Sequence, residues 1–416
     1  MPNIIVYGGK RLTGRIRAPG AKNAILPILG ATLLTKEPVV IEDCPMLTDV
    51  DNMLGILTSL GCKWSRENMT LSIDTSSADK WEIPEALAKV LRSSIFMLGP
   101  VLGRFKKAVS TFPGGCEIGN RPIDLHIKGL RELNVEIIEK HGYIYCDGTN
   151  MRGADIHLDY PSVGATENLM MAAVSCKGKT VLRNAAREPE IQDLQTFLVK
   201  MGASVSGAGS STIMIEGGKL LKGLQHKLLS DRIVAGTFMV ASAITGGDVT
   251  VDNIVCEHMH SVLSKLRECG CSIDIDTDTA RVRGPYRPRE MRIIETLPYP
   301  GFPTDMQAQF FALACVADGT SVIAENVFEN RFKHASELVR MGAMATIKDR
   351  MAIIRGVQML TGAKVSARDL RGGAALVLAG LCAQGETCVE GAQYMDRGYE
   401  KIECSLAELG ADIRRE

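Results

Sequence analysis

An excess of either charge is missing from this chain. Lys plus Arg and Asp plus Glu both number 48 in 416 residues. No global field therefore recruits nucleic acid or a membrane surface, and an anionic ligand must be held by locally gathered cations. Aromatics are scarce at 5%, against 45% hydrophobic and 23% charged residues, the balance of a soluble globular protein. Long apolar runs are missing too: FFALACVA (Phe310 to Ala317) falls far short of the ~18 residues that span a bilayer. The start, MPNIIVYGGKRLTG, has no basic stretch leading into a long apolar core, so no signal peptide is expected. Cys-x-x-Cys is absent although 12 cysteines are present. Most sit in apolar runs, where a free thiol behaves as a small hydrophobe. That argues against a disulfide framework or structural zinc and for a reducing cytoplasm.

Such a length exceeds one ordinary core, so two or more domains are expected. What the chain does have is repetition. Apolar residues three apart, then Gly, a small residue and an apolar one, recur in LTSLGCKW, LRELNVEI, FLVKMGASV, LSKLRECGCSI, ELVRMGAMATI and SLAELGADI. The stop residue falls at Gly61, Asn134, Gly202, Gly270, Gly342 and Gly410, with intervals of 73, 68, 68, 72 and 68. Gly or Asn after an apolar-periodic stretch ends a helix, because left-handed geometry is accessible to them. Before each copy stands a segment apolar nearly all round and rich in Ala, Gly and Ser, such as AILPILGATLL, AGTFMVASAIT and GGAALVLAGLC, suited to a closely packed buried helix. Most of these lead into a turn and a β-branched run, such as GDVTVDN. Six α/β units of helix, strand, helix and strands follow. They lack the polar capping copies of a solenoid, and can close into two lobes of three with a ligand cleft.

The chemistry lies in the loops. RAPGAKNAILP puts Lys22 and Asn23 at a helix N-terminus, where N–H groups and the dipole favour an anion; the same lysine could equally be solvated. STFPGGCEIGNRPIDLHI carries Cys116 on a glycine-rich loop, four residues before Asn120–Arg121. A thiol near cations converts readily to thiolate and can act as acid or nucleophile. LPYPGFPTDMQAQF brings Asp305 to the start of a buried helix. ENRFKHASEL offers Arg331 and His334, SARDLRGGAAL offers Arg368, Asp369 and Arg371, and MDRGYEKIE offers Arg397. Taken singly these are most often caps or surface ion pairs. Recurring at equivalent loops, they could converge on a doubly anionic ligand.

PGAKNAILP, PGGCEIGNRPIDLHI, PSVGATENLMMAA, DRIVAGTF, GFPTDMQAQ, ENRFKHASEL, RDLRGGAAL and RGYEKIE together resemble, in order and at full length, the signature series of the UDP-N-acetylglucosamine 1-carboxyvinyltransferase family. The resemblance implies an enolpyruvyl transferase-like fold, a two-domain inside-out α/β barrel of six βαβαββ-type repeats, three per domain. Residues 21–229 would form the first lobe, residues 1–20 plus 230–416 the second, with the site in the cleft. It implies phosphoenolpyruvate and UDP-N-acetylglucosamine as substrates, phosphate as second product, peptidoglycan precursor synthesis, and neither metal nor cofactor. Lys22, Arg92, Arg121 and Arg397 would hold phosphoenolpyruvate, with Arg371 on its carboxylate. Asp305 would be the base on the sugar hydroxyl, and the only carboxylate near that pocket. Cys116 would be the acid, able also to carry phosphoenolpyruvate as a covalent adduct. Arg121, Pro122, Ile123, Asp124 and Leu125, with Ser162, Val163, Gly164 and Val327, would grip the uridine diphosphate sugar. Arg331 and Asp369 would orient or polarise the intermediate.

From the same loop, alkylation of Cys116 by fosfomycin-type epoxides is expected, as is closure of the 111–121 segment when the sugar nucleotide binds. Two other readings fit part of the pattern. A shikimate-pathway enolpyruvyl transferase shares the architecture but not the PGGC loop. A non-catalytic sensor of UDP-sugars would have no use for an acid and a base. No exposed apolar seam is evident, so a monomer is the default.

Overall fold

The computed structural model describes residues 2–114 and 123–416. Its six apolar Ala/Gly-rich segments are helices: Lys22–Ala31, Leu98–Phe105, Val163–Ala173, Arg232–Thr245, Gln307–Val316 and Leu370–Cys382. Gln307–Val316 is buried at every position, as a helix apolar on all sides should be. Close approach is built into the sequence. A Cβ on Gly99 would sit 2.2 Å from the Asn168 carbonyl oxygen, so only glycine lets Leu98–Phe105 and Val163–Ala173 touch backbone to backbone. The amphipathic helices alternate with these, and each ends at a residue with positive φ: Gly61 at 97°, Asn134 at 64°, Gly202 at 103°, Gly270 at 97°, Gly342 and Gly410 at 95°.

Each repeat adds a small mixed sheet outside its buried helix. Val39–Glu42 takes Gln225–Lys227 as a parallel neighbour and the hairpin Lys63–Glu67/Thr70–Asp74 on its other side. Lys179–Arg183, Asp248–Asp252 and Thr320–Ala324 repeat that arrangement. At Lys107–Thr111 the parallel neighbour shrinks to a single bridge, Glu82 to Val109. The parallel strand always comes from another repeat. For Val39–Glu42 it comes from the end of the third, so three repeats close into a ring. The second ring closes through the N-terminus. Thr13–Arg17 is the parallel neighbour of Asp248–Asp252. Asn3–Tyr7 inserts between Glu386–Glu390 and Asp412–Arg415, taking the place that a hairpin strand fills in the other five repeats.

Two compact units result. One runs from Ser230 to the C-terminus and takes in the N-terminal stretch up to Pro19; the other holds the described residues from Gly20 to Leu229. Each has its own buried core. The described cysteines are free thiols, and burial pushes Cys62 and Cys146 up to about 12. Such thiols pack but do not react at neutral pH. Among the described residues, no helix is long and apolar enough to cross a membrane.

Candidate active site

In the 20–229 unit, Lys22 is the first residue of its helix, and the preceding Ala21 N–H donates to the Leu229 carbonyl at 2.7 Å. No side chain caps this end. The Lys22 ammonium lies 2.8 Å from Oδ2 of Asp49, whose side chain is 2% exposed. A carboxylate buried that deeply requires a cation. Nothing in the sequence marks Asp49 as the partner of Lys22, since only the packing of Thr48–Ser59 against Lys22–Ala31 brings it there. Asn23 is half-buried beside it.

Arg92 opens the 3₁₀ turn Arg92–Met97 and donates to the Pro113 carbonyl at 3.2 Å. It lines a cavity of about 740 Å³ with Phe112, Ile123, Asp124, Lys128 and Arg131. Asp124 and Leu125 begin the helix Asp124–Glu132, and Ser162 caps Val163–Ala173 by accepting from Ala165 N–H at 3.4 Å. A buried relay joins the two helices: His126 Nδ1 lies 3.1 Å from Asn168 Nδ2, and Asn168 Oδ1 accepts the Gly99 N–H at 2.6 Å. A Cβ on Gly164 would lie 3.5 Å from the His126 ring, so the starts of the two helices, which carry the residues assigned to the sugar nucleotide, adjoin. Cys116, Arg121 and Pro122 lie outside the described residues.

In the other unit, Asp305 stands in the 3₁₀ turn Thr304–Met306 ahead of a buried helix. Two arginines clasp it. Arg331 Nη2 is 2.6 Å from Oδ1 and Arg371 Nη2 is 3.2 Å from Oδ2; the arginine side chains are 4% and 3% exposed, that of Asp305 27%. The backbone at Arg371 is fixed by Asp369, the helix N-cap, which accepts the backbone N–H groups of Arg371 at 3.0 Å and Gly372 at 2.9 Å. Nε and Nη1 of Arg371 are buried with no hydrogen-bond partner among the described residues. Burial pulls the Arg371 pKa down, but Tyr399, Asp305 and Asp231 more than offset this, so it ends above the ordinary value. Unpaired buried N–H groups cost free energy until an anion takes them up.

Glu325, fully buried, governs the surrounding loops. Oε1 accepts from Thr296 Oγ1, Val327 N and Phe328 N at 2.8, 2.9 and 3.1 Å, and Oε2 from Thr304 Oγ1 at 2.9 Å. It ties the turn before Asp305 to the loop before Arg331, and the Val327 N–H is taken up in doing so. His334 is buried edge-on against Phe311. Burial lowers its pKa to about 4; the charge of Asp369 and the Arg331 backbone oppose the shift, and the Arg331 charge adds to it. Arg397 closes the 3₁₀ turn Ala392–Arg397 and is half-buried.

The expectation that Asp305 is the only carboxylate near this pocket is corrected. Asp231 acts on Arg371 and Asp369 on His334. Both cap buried helices, and helix N-termini that face a ligand bring their acidic caps with them. Even so, two guanidiniums meet one carboxylate here. Such a group can accept a hydroxyl proton while its arginines attract an anion.

The family profile for EPSP synthase (3-phosphoshikimate 1-carboxyvinyltransferase) matches residues 6–406. UDP-N-acetylglucosamine 1-carboxyvinyltransferase 2 of Caldanaerobacter subterraneus subsp. tengcongensis is 53% identical over 410 residues, covering 99% of this chain and 98% of that one. UDP-N-acetylglucosamine 1-carboxyvinyltransferase 1 of Carboxydothermus hydrogenoformans is 51% identical over 415 residues, 100% and 98% covered. In fold, the chain is similar to the enolpyruvyl transferase NikO from Streptomyces tendae, with TM-score 0.89, 24% identity and coverage of 100% and 98%. EPSP synthase from Acinetobacter baumannii follows at TM-score 0.78, 18% identity and coverage of 100% and 99%. With full-length identity above one half to a curated relative, the chain belongs to the EPSP synthase family of carboxyvinyltransferases, in the group of the UDP-N-acetylglucosamine 1-carboxyvinyltransferases.

Proposed function

We propose that the protein transfers the enolpyruvyl group of phosphoenolpyruvate to the 3-hydroxyl of UDP-N-acetylglucosamine, releasing phosphate, in the committed step of peptidoglycan precursor synthesis. Full-length identity to enzymes of that name supports the reading. The observation that carries it is the clasp of Asp305 by Arg331 and Arg371, with two further Arg371 N–H groups left for an anion. In the addition step the sugar O3 bonds to C2 of phosphoenolpyruvate, O3 gives up its proton and C3 gains one. Elimination from the tetrahedral ketal then removes a C3 proton and breaks the C2–O bond to phosphate.

Asp305 takes the hydroxyl proton, and Cys116 supplies the C3 proton and can carry phosphoenolpyruvate as an adduct. Lys22, Arg92, Arg121 and Arg397 hold phosphoenolpyruvate, with Arg371 supporting its carboxylate. Asn23 supports them. Arg331 and Asp369 orient the intermediate, while residues 121–125 and 162–164 with Val327 bind the sugar nucleotide. Residues 21–229, and 1–20 with 230–416, are the two domains that supply these groups. Buried free thiols suit a reducing cytoplasm, where the reaction is placed. A shikimate-pathway substrate is disfavoured, since the relatives at 47–53% identity bear the UDP-N-acetylglucosamine name. Phosphate release decides the matter: it is expected only when both substrates are present, and no release with the pair sinks the reading. Fosfomycin should add its mass once, at Cys116, in intact-mass spectra taken with the sugar nucleotide present.

A further inference from the structure

Arg371 sits on an aromatic face. Its guanidinium carbon lies 5.3 Å from the centre of the Tyr399 ring, and Tyr399 is 2% exposed. The far end of that ring is fixed by a directed chain of hydrogen bonds. Gln309 Nε2 donates to the Tyr399 hydroxyl at 3.2 Å, and also to Thr237 Oγ1 at 3.1 Å. Thr237 donates its own proton to the Ile233 carbonyl at 2.8 Å. Its oxygen is therefore the acceptor at 3.0 Å from the tyrosine, whose O–H must point to it. Thr237, Gln309 and Arg371 stand on three different buried helices, Arg232–Thr245, Gln307–Val316 and Leu370–Cys382. Tyr399 follows the turn that ends at Arg397.

A buried guanidinium with two unpartnered N–H groups is aimed only by what touches it. Asp305 holds one nitrogen. The ring limits where the rest can lie, and a desolvated cation gains from an aromatic face. Nε and Nη1 have no hydrogen-bond partner among the described residues, while Tyr399 and Asp231 act on the guanidinium electrostatically. Loss of the ring would let the guanidinium swing toward Asp305 or Asp231, both of which attract it.

We propose that Tyr399 is a positioning residue for enolpyruvyl transfer: its ring, locked through its hydroxyl by Thr237 and Gln309, holds Arg371 with Nε and Nη1 ready for the carboxylate of phosphoenolpyruvate. This rests on the assignment of Arg371 to that carboxylate. A merely structural role would lower thermal stability and move both Michaelis constants together. Positioning separates them.

Steady-state phosphate release and thermal melts are measured for Tyr399→Leu, Tyr399→Phe, Thr237→Val and Arg371→Gln. Tyr399→Leu is expected to raise KM for phosphoenolpyruvate at least about tenfold, leaving KM for the sugar nucleotide within about twofold. Tyr399→Phe, which keeps the ring, and Thr237→Val, which loosens it, should each raise the first constant by about two- to fivefold. These two carry the test if the leucine variant does not fold. An unchanged KM for phosphoenolpyruvate, or parallel movement of both constants, overturns the proposal. An Arg371→Gln effect without a Tyr399 effect removes positioning alone. An unmoved constant in Arg371→Gln removes the carboxylate assignment, and this proposal with it.

Discussion

Two buried guanidiniums, Arg331 and Arg371, compete with any substrate hydroxyl for the oxygens of Asp305. In the proposed reaction, Asp305 serves as the base once an anion draws on Arg371 and the substrate hydroxyl comes within hydrogen-bond reach. Asp305→Asn keeps the shape and removes the charge. Its turnover should fall by about 10²–10⁴-fold, while saturation by phosphoenolpyruvate is retained or improved, since two arginines then lack their counter-charge. Phosphate release against phosphoenolpyruvate concentration checks both. The neighbouring His334 makes a prediction about pH. Its folded pKa, about 4, lies below the ordinary 6.5 because burial and the Arg331 charge disfavour the cation. Below pH 6.5 the unfolded chain takes up a proton that the folded one refuses. Stability is therefore lost as pH falls below 6.5. In urea melts at pH 7.5 and 4.5, His334→Phe should lose less stability between the two pH values than the parent; an equal loss in both proteins removes His334 as its source.

Among the elements, the loops around the site depend on Glu325. Four donors converge on one buried carboxylate. Glu325→Gln leaves an oxygen for the N–H groups of Val327 and Phe328, and Thr304 can turn its hydroxyl to accept. A loss of about 1 kcal/mol is expected, the difference between charge-assisted and neutral bonds. Glu325→Leu strands all four donors, and should cost about 1–3 kcal/mol for each buried one left unpaired. Thermal melts rank the two variants, and a milder leucine variant would count against the role. None of this could be read in the sequence, where Glu325 is one acid before an asparagine. The same holds for Asp49 and Tyr399, whose partners stand on other helices. What was legible is what repeats locally. The stops at Gly61, Asn134 and Gly202 each have positive φ, because ending a helix is a property of one residue and its neighbours. Lys22, Asp305 and Arg371 were legible as loop residues at helix starts, but which charges meet depends on how three buried helices pack.

For the whole molecule, the decisive feature is how each ring of three repeats closes. The 20–229 unit closes with its own last strand, Gln225–Lys227. The other borrows Asn3–Tyr7 and Thr13–Arg17 from the opposite end of the sequence. Five repeats carry a covalent hairpin where the sixth has a gap in the chain. At that gap Asn3 and Glu416 exchange backbone hydrogen bonds, N–H to O, at 2.7 and 2.9 Å. Two residues join the strands in several of the other hairpins, and Asn68 or Asp349 supplies the positive φ that such tight turns need. An Asn-Gly pair replacing Met1 and Pro2 between Glu416 and Asn3 should therefore convert the sixth repeat into a copy of the rest. A permutant joined in this way, and opened in the 217–223 loop where Leu220 is 85% exposed, is expected to fold and to keep phosphate release within about tenfold of the parent. Removing residues 1–8 without that joint leaves Glu386–Glu390 and Asp412–Arg415 with no strand between them. That truncation should lose the cooperative melt of the 230–416 unit. A truncation that melts like the parent, or a permutant that does not fold, would show that the N-terminal strand is an addition to the ring rather than its closing piece.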